Sequence, residues 1–507
     1  MKAQTIKRSW GATLIAAGLL GLLTLGSHSI FTAQDDAAYD PERIFTIREM
    51  REDFQILRNA FEEGHAGLYR YSSKKAMDKC FENTLSRIDR PMTEWEYLRL
   101  LTPLAAAVNC GHTGINASVE LERHFKRQPV FPPFNLRFMS GKAWLIRNYS
   151  DRELLPGAEV TRINGHEISE ILETLLPAIP SDGHIESSKF QRLNGTIFLG
   201  SLYNLFYGPT PEYALECVDE KAGAAALFKL HGLPAAEIEK RARERYPDPD
   251  PDRPPISFEN RDGIPVITIR TFNAGAYIRA KIDYPAFLTR TFRQLVESRA
   301  RVLIIDLRDN GGGSDDYGRF LFSHLIDEPF RYYKALETKK LSYDFLRFTS
   351  IPENRRTQPA DQFRKNKRGW YDILSHPNVG TMKPIPPYYD GRIYVLINGR
   401  SFSASGEATS PMRYHRKAVF VGEECGAGYY GNNSGFMPTM TLPHTKIRVR
   451  IPCVRYTMAV DDYPADRGII PEYRMDPTVE DLLSGRDTVL EYALRLARLF
   501  LGSDLRK

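Results

Sequence analysis

Cysteine is scarce in this chain of 507 residues: Cys80, Cys110, Cys217, Cys425 and Cys453 lie far apart, with no Cys-x-x-Cys pair. That excludes a disulfide scaffold, although one or two bridges remain compatible with an oxidising compartment, and an odd count leaves at least one thiol unpaired in a monomer. No His-Glu-x-x-His or comparable cluster is present, so no metal and no cofactor is expected. There is no long cationic run either. The net charge of +6 is spread among acidic neighbours, and the densest basic cluster, Arg364, Lys365, Lys367 and Arg368, sits in a polar segment that reads as a solvated loop. Nucleic acid is therefore not the expected partner. No internal repeat is found. With 42% hydrophobic and 26% charged residues, neither wholesale disorder nor a polytopic membrane protein fits.

The amino terminus is more distinctive. Lys2, Lys7 and Arg8 precede an uncharged stretch from Gly11 to Leu25, short for a membrane span and suited to the apolar part of a signal peptide. Ser27 and Ser29, or Thr32 and Ala33, offer cleavage points, and residues 1–34 are expected to be removed on export. An uncleaved membrane anchor is the alternative. Either places the body of the protein outside the cytoplasm, in a periplasmic or extracellular space.

Apolar residues at helical spacing (Phe54, Leu57, Phe61; Leu98, Leu101, Leu104) predict a small helical cap over residues 35–115. It ends at Asn109-Cys110-Gly111-His112-Thr113-Gly114, where glycines flank a histidine and aim it out of a turn. Residues 116–240 read as short β units. Their sharpest feature runs from Leu154 to His166, with a Pro156-Gly157 turn, a short strand and an Asn164-Gly165 turn. This is similar to a PDZ-like domain, which captures a peptide as an added strand; an ordinary β-hairpin is the plainer reading.

A charged, proline-rich linker is expected at 241–255 and a catalytic domain at 256–507. Its apolar runs Val266–Ile269, Val302–Leu307, Ile393–Ile397 and Val419–Gly422 suit buried strands. Helical stretches near Ala286–Ser298 and Tyr317–Leu325 lie between them, so the unit should be α/β. Residues 330–390 interrupt the rhythm and read as an insertion or lid.

Two segments carry chemistry. Strand Ile305-Asp306-Leu307 runs into Arg308-Asp309-Asn310-Gly311-Gly312-Gly313, and glycines after a buried strand let backbone amides approach a developing oxyanion. A phosphate loop would need a Gly-Lys-Ser/Thr ending, which is missing. The second segment, Asn398-Gly399-Arg400-Ser401-Phe402-Ser403-Ala404-Ser405-Gly406-Glu407, follows a strand directly. A serine at such a strand-to-helix turn is exposed near the positive end of a helix, where alkoxide and oxyanion are both stabilised; the plainer reading is a helix cap.

Together these segments resemble the serine-peptidase family of C-terminal processing (tail-specific) proteases, the tricorn core and the interphotoreceptor retinoid-binding repeats. The family landmarks fall in order: Asp306 to Gly313, Ser401-Phe402-Ser403-Ala404, Val421-Gly422-Glu423-Glu424-Cys425-Gly426-Ala427 and Gly468-Ile469-Ile470-Pro471-Glu472. The resemblance implies an α/β fold with a crotonase/ClpP-like ββα core, an N-terminal helical cap and a PDZ-like β-rich domain. It implies a peptide or protein substrate, Ser403 as nucleophile, and Gly312 and Ala404 as oxyanion donors. The processing proteases take a lysine base from just after the third landmark, but Cys425 to Asn433 contains none. The tricorn-like branch takes a histidine from the cap, which points to His112. Its acidic partner by position is Asp466, with Asp461 and Asp462 as competitors. Gly111 stands where the tricorn core has a serine, and Glu407 is displaced by one residue from the usual acidic position. His65 is expected to be a packed or capping residue. The rival expectation is a catalytically inactive binding protein on the same fold.

Overall fold

The computed structural model describes residues 39–154, 156–219 and 224–504. The expected signal segment lies outside them. Among the described residues no helix is long and apolar enough to cross a membrane.

The catalytic part is built on a six-stranded sheet ordered Ile256–Arg261, Ile264–Ile269, Val302–Asp306, Arg392–Ile397, Val419–Gly422 and Tyr473–Arg474. The first pair is antiparallel and the rest run parallel. Its central strands are apolar on both faces because both are covered. Leu303, Ile305, Ile393, Val395 and Ile397 pack with helices Tyr284–Glu297, Asp315–Ser323 and Ala404–Tyr414. The alternate residues Val302, Ile304, Tyr394 and Leu396 pack under the C-terminal helix Thr488–Asp504. The four apolar runs are strands at nearly their expected bounds.

The helical cap consists of Ile47–Gly64, Lys74–Ser86 and Glu94–Ala106, each begun by a Ser or Thr whose side chain accepts an N–H of the first turn. Phe54, Leu57, Phe61, Leu98, Leu101 and Leu104 are all buried in it. Beyond it, six antiparallel strands (Phe134–Met139, Lys142–Asn148, Glu159–Ile163, His166–Glu167, Glu212–Asp219, Ala224–His231) form the sheet of the β-rich unit. The Asn164-Gly165 turn is formed with both residues at positive φ, and Ile163 pairs with His166.

Three boundaries differ from expectation. Residues 168–207, taken as short β units, hold helices Ile168–Leu175, Glu186–Leu193 and Thr196–Tyr207, because Ile168, Ile171, Leu172 and Leu175 share one buried helical face. The expected linker begins inside helix Ala235–Arg245. Within 330–390, Tyr333–Thr338, Phe363–Lys365 and Tyr371–Ile373 join Asn433–Ser434 and Val454–Met458 in a second sheet, and the basic cluster lies on its exposed hairpin. All five cysteines are free thiols.

Candidate active site

Ser403 ends the loop between strand Arg392–Ile397 and helix Ala404–Tyr414. Its backbone sits at φ 57° and ψ −129°, a region costly for any residue with a Cβ, so the surrounding packing must hold it there. The strain turns its hydroxyl toward the cap. Gly312 forms the facing wall at φ +94°: a Cβ there would lie 2.8 Å from Ser403 Cβ and 2.9 Å from Ala404 N. Phe402 N–H donates to Asn310 O at 3.0 Å, tying the two loops together.

His112 reaches this point from the cap. Strand Gly114–Asn116 pairs with Arg448–Arg450, and Arg450 Nε donates to His112 O at 2.7 Å. The ring lies against Phe402, with centroids 4.6 Å apart, and its Nε2 is 3.1 Å from Ser403 Oγ. Burial, and secondarily the Arg450 guanidinium, push the His112 pKa down to about 3, so the ring is neutral and able to accept a proton at ordinary pH.

Neighbouring groups have other tasks. Ser401 Oγ donates to Leu307 O at 2.8 Å, which commits it to holding the loop. His65 caps helix Ile47–Gly64, accepts Gly67 N–H on Nδ1 and therefore donates from Nε2 to Thr113 Oγ1 at 2.7 Å. Thr113 is thus turned to His65. The third and fourth landmarks serve the architecture: Cys425 N–H donates to Ile469 O at 2.9 Å, and a Cβ on Gly468 would meet Cys425 O at 2.0 Å.

Two expected residues make other contacts than those anticipated. Asp466 is not joined to His112; its carboxylate lies 2.7 Å from Nδ1 of the exposed His184. The N–H of Gly312 donates to Asn310 Oδ1 at 2.9 Å and so is not directed at Ser403. Ala404 opens its helix, and among the described residues its N–H has no acceptor, as expected for a first-turn amide. Sequence reasoning missed Phe402, which is the variable position of its motif, and Asp182. The latter is fully buried, accepts Gly111 N–H at 2.8 Å, and has an oxygen within 4.8 Å of a His112 ring nitrogen and of Cys110 Sγ. Cys110, His112 and Asp182 are ligand types that zinc takes; in this arrangement Ser403 meets His112 Nε2 and Gly111 N–H donates to Asp182 Oδ1. Gly111 itself is required by this packing, since a Cβ would lie 2.7 Å from the Phe402 ring.

A buried serine–imidazole pair beside a glycine loop, on an α/β sheet between helical layers, defines a serine hydrolase centre. Residues 263–474 match Peptidase family S41, and the match supports a serine-type peptidase. In fold it is similar to mature CPAF (TM-score 0.56, 15% identity, covering 90% of this chain and 98% of that one). Mature CPAF complexed with lactacystin gives a TM-score of 0.57 at the same identity and coverage. The photosystem II D1 C-terminal processing protease follows at 0.40 and 12% identity, over 86% of this chain and 96% of that one. No curated protein sequence matches the chain.

Proposed function

We propose that this peptidase is an exported endopeptidase that cleaves peptide bonds through an acyl-enzyme on Ser403, with His112 as general base. The observation that carries the reading is the 3.1 Å approach of His112 Nε2 to Ser403 Oγ across 291 sequence positions. Ser403 Oγ attacks the peptide carbonyl while its proton passes to Nε2. The leaving amine takes that proton, and water hydrolyses the ester by the same route in reverse. Ala404 N–H and the positive end of its helix stabilise the oxyanion. Gly312 supplies space rather than a hydrogen bond for as long as Asn310 holds its amide.

The assembled pair favours an enzyme over an inactive binding protein, which would have no need to hold Ser403 in a strained turn. Labelling by a serine-directed fluorophosphonate tests this: wild type should react and Ser403→Ala should not, with folding unchanged. Labelling of Ser403→Ala at the wild-type rate would reject the nucleophile. Export rests on the charged start and short apolar stretch, and predicts a mature amino terminus between about Ile30 and Asp36. Amino-terminal sequencing from the native host reads it directly, and an intact Met1 would leave the anchor in its place.

A further inference from the structure

For Nε2 of His112 to receive the Ser403 proton, the single hydrogen of the neutral ring must sit on Nδ1. That nitrogen is buried, and no hydrogen-bond partner for it is found among the described residues. A buried N–H without an acceptor is costly, so the Nδ1–H tautomer needs a partner to hold it. The expected acceptor, Asp466, is occupied with His184.

Asp182 stands beside the His112 ring with its own position fixed. Gly111 N–H donates to Oδ1 at 2.8 Å and Gly428 N–H to Oδ2 at 3.4 Å. Its loop is held on both sides: Gly183 N–H donates to Asn109 O at 3.0 Å, and His184 N–H donates to Asp466 O at 2.9 Å. Gly183, at φ +56°, has no room for a Cβ, which would meet Asp466 O at 2.3 Å. Asp466 therefore acts on the Asp182 loop. The gap from a His112 ring nitrogen to an Asp182 oxygen is within 4.8 Å, and two hydrogen bonds of about 2.8 Å meeting at a tetrahedral water span about 4.6 Å. Cys110 Sγ, within the same distance of both, completes a polar enclosure for such a water.

We infer that Asp182 is the positioning residue of the dyad: through one bridging water its carboxylate keeps the hydrogen on His112 Nδ1 and leaves the Nε2 lone pair aimed at Ser403. The inference rests on the reading of His112 as the base. It assigns the acidic role to the loop between helices Ile168–Leu175 and Glu186–Leu193 of the β-rich unit, outside the stretch that matches the peptidase family. Other charged or titratable groups around the pair are Arg450, bonded to His112 O, and Cys110, Tyr71, Arg70, Glu407 and Cys425 near Asp182, whose own pKa burial raises.

The test compares Asp182→Asn with His112→Gln in the full-length protein. Asn keeps an oxygen for Gly111 N–H but removes the charge, so the loop should stay folded. The expected result is a loss of kcat/KM of about 100-fold or more, mainly in kcat, since a misdirected tautomer disables such a base. The acidic limb of kcat/KM should also move to lower pH, because the imidazolium loses its counter-charge; a merely structural role would leave that limb in place. Asp182→Asn with wild-type kcat/KM and an unmoved limb, alongside an inactive His112→Gln, overturns Asp182 and spares the base. Full activity in His112→Gln overturns the base itself. Nitrogen-15 shifts of His112 in the wild type give an independent reading at neutral pH: the Nδ1–H tautomer is expected, and the Nε2–H tautomer contradicts the proposal even if Asp182→Asn fails to fold.

Discussion

Gly312 and Ser403 face each other at a distance that leaves no room for a side chain, since a Cβ on Gly312 would stand 2.8 Å from Ser403 Cβ. Gly312 is also at φ +94°, where a residue with a Cβ is strained whatever the space. Gly312→Ala should push the serine turn away from His112. A loss of kcat/KM of about 100-fold or more is expected, with thermal stability lower by about 1–3 kcal/mol. Steady-state kinetics with a melting curve checks it.

The second prediction follows from two buried imidazoles. Burial pushes His65 and His112 each down to about 3, against about 6.5 when unfolded. Below pH 6.5 the unfolded chain binds protons that the folded chain refuses. Each histidine therefore gives stability that is full above 6.5 and is lost as pH falls toward 3, by about 1.4 kcal/mol per pH unit. His112→Gln should flatten the stability curve between pH 6.5 and 4 by about that slope relative to wild type. Denaturant unfolding of both proteins across that range makes the comparison, and parallel curves would contradict a buried neutral His112. In the active wild type, the acidic limb of kcat/KM should fall below 6.5 for the same reason.

Glu407, in the first turn after Ser403, leads to a third. Tyr333 Oη lies 2.7 Å from Glu407 Oε2 and 2.8 Å from Asp315 Oδ2. One phenol hydrogen cannot serve two carboxylates, so one carboxyl must bring its own proton. Burial first, and the charge of Asp315 second, raise the pKa of Glu407 to about 8. Because the folded pKa is raised, this group's contribution to stability is full below about 4.5 and is lost as pH rises through about 8. Glu407→Gln keeps the shape without the ionisation. It should match or exceed wild type in melting temperature at pH 8 and show a flatter decline between pH 4.5 and 8, whereas an unchanged decline would remove Glu407 as its source.

Much of this site was legible in the sequence because its parts are local. A strand of Val302, Leu303, Ile304 and Ile305 can only be buried on both faces, and a serine between strand and helix can only project from the turn. His112 was legible as a flanked turn residue. Its contact with Ser403, however, depends on strand Gly114–Asn116 finding Arg448–Arg450, which no short window encodes. Asp182 was missed for a similar reason: its carboxylate meets Gly111 across 71 positions, and its own neighbours Ser181 and Gly183 read as an ordinary loop. Asp466 meets His184 and not His112, because position near the last landmark says nothing about which loop folds over it. The Gly312 amide donates to the Asn310 side chain two residues away, a contact its glycine run does not announce.

The account depends most directly on His112 as the base of Ser403, and the rate of fluorophosphonate labelling in His112→Gln measures that contact. Gln preserves much of the ring's bulk against Phe402 but cannot take up a proton. Labelling at neutral pH should slow by orders of magnitude relative to wild type while the melting curve stays cooperative. Labelling of a folded His112→Gln at the wild-type rate would contradict the account.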